Sequence, residues 1–208
     1  MSSRRKVPRH ATVYQQGDRF DKLYAIKLGH FKKYHIAANT PDRVISFPLA
    51  GELLGMEAIF TGRYACCAQA LDDSEVCEIA FPSLEKLFAD IPALLHHFHC
   101  LMSQEITMGQ SAITGLGRLH ADQRFASFLL NLSAQYTARG YAPDRFLLRM
   151  SRLDISSYLA LTVETISRLI AQFQDLGLAN VINRDVRLLD IGGLTLLSSG
   201  EYACARKR

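Results

Sequence analysis

The chain of 208 residues predicts an α+β protein: an N-terminal domain of short strands, one long helix, and a C-terminal winged helix-turn-helix. Three observations predict it. Residues 12–79 break into short apolar runs separated by turn-forming clusters. Residues 91–116 carry apolar side chains stepping by three, four or seven, and residues 151–189 read as helix, turn, helix and hairpin.

In the first region the turns are Gln16-Gly17-Asp18, Leu28-Gly29, Thr40-Pro41-Asp42, Ala50-Gly51-Glu52, Thr61-Gly62 and Leu71-Asp72-Asp73-Ser74. Between them lie the runs Leu23–Ile26, Phe31–Ile36 and Val44–Phe47. Many short strands at regular spacing predict a sandwich, barrel or jelly roll over residues 1–89.

Ile91-Pro92 opens a long helix over residues 90–118. Its seam is Leu95, Phe98, Met102, Ile106, Gly109, Ile113 and Leu116. Such a stripe can pack on the preceding strands, but its length and its position between two domains favour pairing with its twin in a homodimer. Glycine at 109 weakens the helix by about 1 kcal/mol relative to alanine and places no charge on the seam.

The third domain, residues 119–208, starts with an amphipathic helix over Ala121–Ala138, carried by Phe125, Phe128, Leu129 and Leu132, followed by Gly140 and a short strand around Phe146–Met150. Ser151 caps a short helix containing Leu153, Ile155, Tyr158 and Leu159, and Ala160-Leu161 make the turn. Thr162 caps a second helix from about Val163 to Leu176, and Gly177 sits where a left-handed C-cap belongs. Ile166, Leu169, Ile170 and Phe173 fall at i, i+3, i+4 and i+7, one face of that helix. Its other face carries Glu164, Ser167 and Arg168, with Thr162 and Thr165 beside them. Near a helix N-terminus in the major groove, arginine bonds guanine O6 and N7, glutamate accepts from a cytosine amino group, and serine bonds several base edges or a phosphate. By itself this string equally describes a solvated face. The hairpin that follows shifts the balance toward double-stranded DNA: Leu178, Val181 and Ile182, a turn at Asn183-Arg184-Asp185, then Val186, Leu188 and Leu189. Arg184 and Arg187 in this wing are placed for phosphate contact, and Asp190-Ile191-Gly192 begins a short terminal helix.

The stretch Leu-Thr-Val-Glu-Thr-Ile-Ser-Arg-Leu, residues 161–169, resembles the recognition helix of the Crp/Fnr transcription regulators, on the Fnr branch. Leu23-Tyr24-Ala25-Ile26-Lys27, Leu49-Ala50-Gly51-Glu52-Leu53, Ala68-Gln69-Ala70-Leu71, Val76-Cys77-Glu78-Ile79 and Leu101-Met102-Ser103 resemble the same family in order, so the likeness spans nearly the whole chain. It implies a cyclic-nucleotide-binding-type β-roll, and a dimer whose Glu164, Ser167 and Arg168 read a TTGAT-like inverted repeat, activating low-oxygen or redox-responsive genes. It also implies contact with RNA polymerase through loops 37–43 and 72–75, whose residue types by themselves describe solvated turns. Relatives controlled by oxygen carry an acidic residue at the position of Gly109 that keeps subunits apart, so glycine there implies a dimer formed without a cluster.

Cys77 resembles the site of one ligand of an oxygen-labile [4Fe-4S] cluster, which takes four thiolates. By the same resemblance the other three belong to an N-terminal arm outside this sequence. The expectation is therefore no cofactor in the chain as given, and a cluster only if the sequence is a piece of a longer one. Cys66 and Cys67 are adjacent on a strand and point to opposite faces, which disfavours joint chelation. In cyclic-nucleotide binders of the family a Gly-Glu pair meets the ribose and an Arg-Ser pair the phosphate. Here Gly51-Glu52 is present, but Tyr64-Ala65 stands at the second place with Arg63 beside it, and a buried phosphate without arginine is poorly compensated. A regulator of the same fold sensing a cyclic nucleotide or haem, and a sensory module that binds a protein partner, are the alternatives.

Composition agrees. Hydrophobic content of 49% builds real cores, and a net charge of +4 with a pI near 8.8 suits phosphate contact without requiring it. The longest apolar runs fall short of a membrane helix and Met-Ser-Ser-Arg-Arg-Lys lacks a signal-peptide core, so the expected location is the cytoplasm. Five cysteines, at 66, 67, 77, 100 and 204, form no paired framework. His96, His97, His99 and Cys100 offer a weak metal pattern that still needs a ligand from elsewhere. Phosphate loops, nucleophile elbows and paired metal-binding histidine motifs are absent, which argues against an enzyme.

Overall fold

A computed structural model of the chain describes residues 3–37 and 40–201, the side chains of Thr40, Ala112, Leu116 and Arg118 excepted. Cys204 lies outside them. The chain divides into two compact units, Met1–Ser111 and Ala112–Arg208.

The first unit holds β1 (Ser3–Val7), β2 (Thr12–Tyr14), β3 (Lys22–Leu28), β4 (Phe31–Ala37), β5 (Thr40–Ser46), β6 (Leu53–Leu54), a 3₁₀ turn at Met56–Ala58, β7 (Cys67–Ala70) and β8 (Ser74–Ala80), followed by α1 (Phe81–Asp90). Helix α2 (Pro92–Arg118) starts here and carries the division between the units. The strands form two four-stranded antiparallel sheets, in the orders β1-β8-β3-β6 and β2-β7-β4-β5. Between them lies a core of Val7, Tyr24, Ile26, Phe31, Leu54 and Val76. Leu23, next to Tyr24 on β3, points the other way, into a second cluster with Leu84 of α1 and Phe98 of α2. Turn glycines behave as expected: Gly29 has φ +97°, and a Cβ there would fall 2.0 Å from the Ser74 hydroxyl, so no other residue fits.

In the first unit and α2, three expectations change. Strand β1 is unforeseen because Arg4, Arg5 and Lys6 hide it; its partner β8 supplies the opposite charge, with Lys6 across from Glu75 and Arg5 3.5 Å from Glu78. Helix α1 is unforeseen as well, Leu84 being its one fully buried residue. The α2 seam is also shorter than the spacing implied. Phe98, 7% exposed, packs on Phe88 at 5.0 Å within its own unit, and Met102 packs with it. Leu95 is half-buried, whereas Ile106 and Ile113, 58% and 73% exposed, keep an open face; Leu116's side chain lies outside those described.

The roll also encloses charge. The Lys33 side chain on β4, 6% exposed, donates to Glu57 at 2.9 Å and to Glu105 of α2 at 2.7 Å. Burial opposes its charged form, but the two carboxylates outweigh burial and raise its pKa. Glu57 is the mirror case: burial pushes its carboxyl up, and the Lys33 ammonium more than offsets this, leaving it below the ordinary 4.5.

The second unit holds α3 (Ala121–Ala138), β9 (Arg145–Leu147), α4 (Arg152–Leu159), α5 (Val163–Asp175), β10 (Ala179–Ile182), β11 (Asp185–Leu188) and α6 (Ile191–Ser199). The wing has three strands, not two, in the order β10-β11-β9, because the strand expected around Phe146 pairs with β11. Among the described residues no helix is long and apolar enough to cross a membrane.

Stability contributed by a carboxyl with a lowered pKa is present above its unfolded value and lost as pH falls through its folded value. Replacing Glu57 with Gln should therefore flatten the acid limb of the thermal midpoint below about pH 5, as well as lowering the midpoint at neutral pH. Parallel pH profiles for the variant and the parent would show that Glu57 does not titrate as described.

Candidate nucleic-acid interface

Helix α4 begins with a reciprocal cap: the Asp154 amide donates to the Ser151 hydroxyl at 3.1 Å, and the Ser151 amide donates to the Asp154 carboxylate at 2.9 Å. It ends at Ala160, which adopts the left-handed conformation with φ 51°. The exposed carbonyls there are met by Arg124 of α3, whose guanidinium donates to Leu159 O at 2.7 Å. Of the apolar residues expected on this helix, Ile155 and Leu159 are buried and Tyr158 packs on Phe128, but Leu153 is exposed.

Thr162 accepts from the Thr165 amide at 3.2 Å and so starts α5. Ile166, Leu169, Ile170 and Phe173 are all buried, Phe173 against Phe125 of α3 at 5.3 Å. The helix stops at Gly177, φ +67°. With the apolar side fixed, Glu164 and Arg168 project as exposed side chains and Ser167 lies half-buried beside them. Glu164 is held below the ordinary carboxylate range by its own backbone N–H and by the Thr162 hydroxyl, so it stays an acceptor at neutral pH. Arg168 donates to the Thr165 hydroxyl at 3.2 Å. The Ser167 hydroxyl donates to Val163 O at 3.0 Å and accepts from Arg152 at 3.3 Å.

The wing turns in two residues, Asn183-Arg184, with Asn183 at φ 58°, while Asp185 already pairs within β11. Arg184 is exposed and donates to Arg149 O at 3.4 Å, and Arg187 is exposed on β11. A groove of about 320 Å³ runs between α4 and this turn, lined at its polar edge by Ser151, Arg152, Asn183 and Arg184.

The structure thus brings Thr162, Glu164, Thr165, Ser167 and Arg168 together and sets Arg184 at the turn of the wing. Sequence reasoning missed Arg152, Arg124 and Arg145. Arg152 stands next to the Ser151 cap, which is the signal that places it at the helix entrance. Arg124 sits among core residues of α3 with nothing local to mark its role. Arg145 pairs with Asp185 at 2.9 Å across the β9–β11 ladder, a partner 40 residues away.

The thiols do not converge. Cys77 lies on β8 between Arg4 of β1 and Ala25 of β3. Cys66 points inward to Glu57 at 3.2 Å, Cys67 accepts from the Gln16 amide at 3.2 Å, and Cys100 is exposed on α2, 3.7 Å from His96. Among the described residues no group of three or more metal-ligating side chains forms. Tyr64 is buried, stacked on Tyr14 at 3.9 Å, and donates to Lys22 O at 2.7 Å, whereas Arg63 donates to Gly17 O at 2.8 Å as an exposed side chain.

Comparison with known proteins agrees with both halves. Residues 4–90 match the cyclic nucleotide-binding domain family and residues 123–197 the Crp-like helix-turn-helix domain family. The chain is 37% identical to the transcriptional activator protein FnrA of Stutzerimonas stutzeri, covering 94% of this chain and 80% of that one. It is 38% identical to the anaerobic regulatory protein of Haemophilus influenzae, covering 94% and 76%. The solved structure of FixK2 from Bradyrhizobium japonicum superposes with a TM-score of 0.84 at 25% identity over 95% of this chain and 97% of that one.

Losing the Thr162 cap should cost about 0.5–2 kcal/mol. Thr162→Ala is expected to lower the stability of the second unit by that amount in denaturant titration, and an unchanged midpoint would mean that the cap does not form in solution.

Proposed function

This chain belongs to the Crp/Fnr family of DNA-binding transcription regulators, and from that premise we propose that it acts as a homodimer reading a TTGAT-like inverted repeat to activate low-oxygen or redox-responsive genes. The family consists of regulators and not enzymes. The observation that carries the proposal is the α5 surface: an acceptor, Glu164, and a bidentate donor, Arg168, stand exposed at the N-terminal half of a helix whose opposite side is sunk in the core. Arg168 reads guanine through O6 and N7, Glu164 accepts from a cytosine amino group, and Ser167 exchanges its bond from Arg152 for a base edge or phosphate. Arg184 and Arg152 flank the groove beside this helix and take phosphates, which fixes register without reading sequence.

The names of the two relatives support the physiological part, one being called an activator and the other an anaerobic regulatory protein. Dimerisation is assigned to the exposed stretch of α2 around Ile106, Gly109 and Ile113, where a Cβ at 109 would meet nothing within 4 Å. RNA polymerase is assigned to the β4–β5 hairpin, of which residues 38 and 39 lie outside the described residues, and to the Asp72–Glu75 turn.

Arg168→Ala should lose about 1–3 kcal/mol on the inverted repeat while leaving scrambled duplex nearly unaffected, and Arg184→Ala should weaken both alike and reduce the salt slope by about 1. An electrophoretic shift in which Arg168→Ala lowers both equally would remove the reading role. Metal-free protein should scatter light as a dimer at micromolar concentration, and a monomer under those conditions would refute cluster-independent pairing.

A further inference from the structure

Helix α2 loses its apolar anchorage after Met102. Upstream, Phe98 and Met102 pack with Leu23 and Leu84; downstream, from Ser103 to Ser111, every residue is exposed except Glu105. Glu105 takes the Lys33 ammonium at 2.7 Å. Lys33 is itself immobilised inside the roll, since Glu57 holds it at 2.9 Å. Glu57 is held in turn: its other oxygen accepts from the Tyr14 hydroxyl at 3.1 Å and from the Cys66 thiol at 3.2 Å, and Tyr14 is stacked on Tyr64. The chain of contacts therefore runs from the middle of the roll to one point on the helix, next to Ile106.

We propose that Lys33 is a positioning residue for the dimer: anchored by Glu57, it grips Glu105 and fixes the rotation of α2 so that Ile106 and Ile113 face a second copy of the chain. This rests on the dimer reading above. The geometry suits the role. A helix advances by about 100° per residue, so fixing Glu105 sets the direction of Ile106, and Ile113, seven residues on, shares that stripe. An ammonium this buried is costly unless paired, so Lys33 retains its partners. Glu57 by itself neutralises it, and Glu105 adds a second carboxylate whose pull is exerted on α2. The Glu105 side chain is 40% exposed, so its hold is screened by solvent and reversible, which suits a tie that sets an orientation more than one that holds the roll together.

The test uses Glu105→Gln in the full chain, with Lys33→Met as a second variant. Hydrogen exchange by mass spectrometry should show amides of residues 103–110 exchanging about five times faster in Glu105→Gln, with β3 and β8 unchanged, because only the local opening is made easier. Sedimentation equilibrium should show the dimer dissociation constant rising about tenfold. Exchange that is unaltered, or that quickens in every strand alike, would overturn the proposal, the second result marking Glu105 as a general stability residue. Should Lys33→Met fail to fold, Glu105→Gln decides alone. A wild-type chain that sediments as a monomer overturns the dimer reading itself and this proposal with it. That failure is seen before any substitution is made, so it is distinct from a wild-type dimer that Glu105→Gln leaves intact.

Discussion

The seating of Phe173 against Phe125 is the contact from which the rest of the DNA-facing surface follows. A helix of 13 residues is marginal alone in water, so α5 exists because its apolar stripe is buried. Each large side chain sunk from that stripe contributes about 1.5–3 kcal/mol relative to exposure. Once Ile166, Leu169, Ile170 and Phe173 are buried, rigidity dictates that Glu164 and Arg168 point outward. Orientation of the reading groups is thus a consequence of packing on the far side of the helix and needs no interaction of their own.

This explains which parts of the molecule were legible beforehand. Helices α3 and α5 were readable because burial on one side imposes a period of 3.6, and because Thr162 and Gly177 mark the ends of α5 as Ser151 marks the start of α4. Strands β3 and β4 were readable as short runs bounded by turn-forming residues at Gln16-Gly17-Asp18, Leu28-Gly29 and Thr40-Pro41-Asp42. What failed depends on partners distant in sequence. The charges of β1 make sense only beside Glu75 and Glu78, some 70 residues later. The third wing strand needed β11 to define it. Phe98 obeyed the helical period, yet periodicity says only that a face is covered and not by what; within its own unit the cover is α1 and β3. Likewise Arg152 and Arg124 act on groups 15 and 35 residues away, beyond any local pattern.

The two units solve the problem of a unique interior differently. The second is mostly apolar inside, with phenylalanines and leucines of α3, α5 and α6, and Ser133, Asp154 and Ser156 are its buried polar side chains among the described residues. The first places the Lys33–Glu57 ion pair and three tyrosines, Tyr14, Tyr24 and Tyr64, among its hydrophobic residues. Buried polar networks tolerate few arrangements, since each donor must keep an acceptor, so they specify a geometry even when their net contribution to stability is small.

The thiol of Cys66 shows what that environment does to reactivity. Burial, followed by the nearby Glu57 carboxylate, pushes it up to about 12. At neutral pH its thiolate fraction is then on the order of one in a hundred thousand, against a few per cent for an ordinary cysteine. Because disulfide exchange and peroxide attack both proceed through the thiolate, Cys66 is chemically silent and serves as a hydrogen-bond donor to Glu57. Alkylating reagents and oxidants will find Cys100 on the surface of α2 long before they reach the heart of the roll.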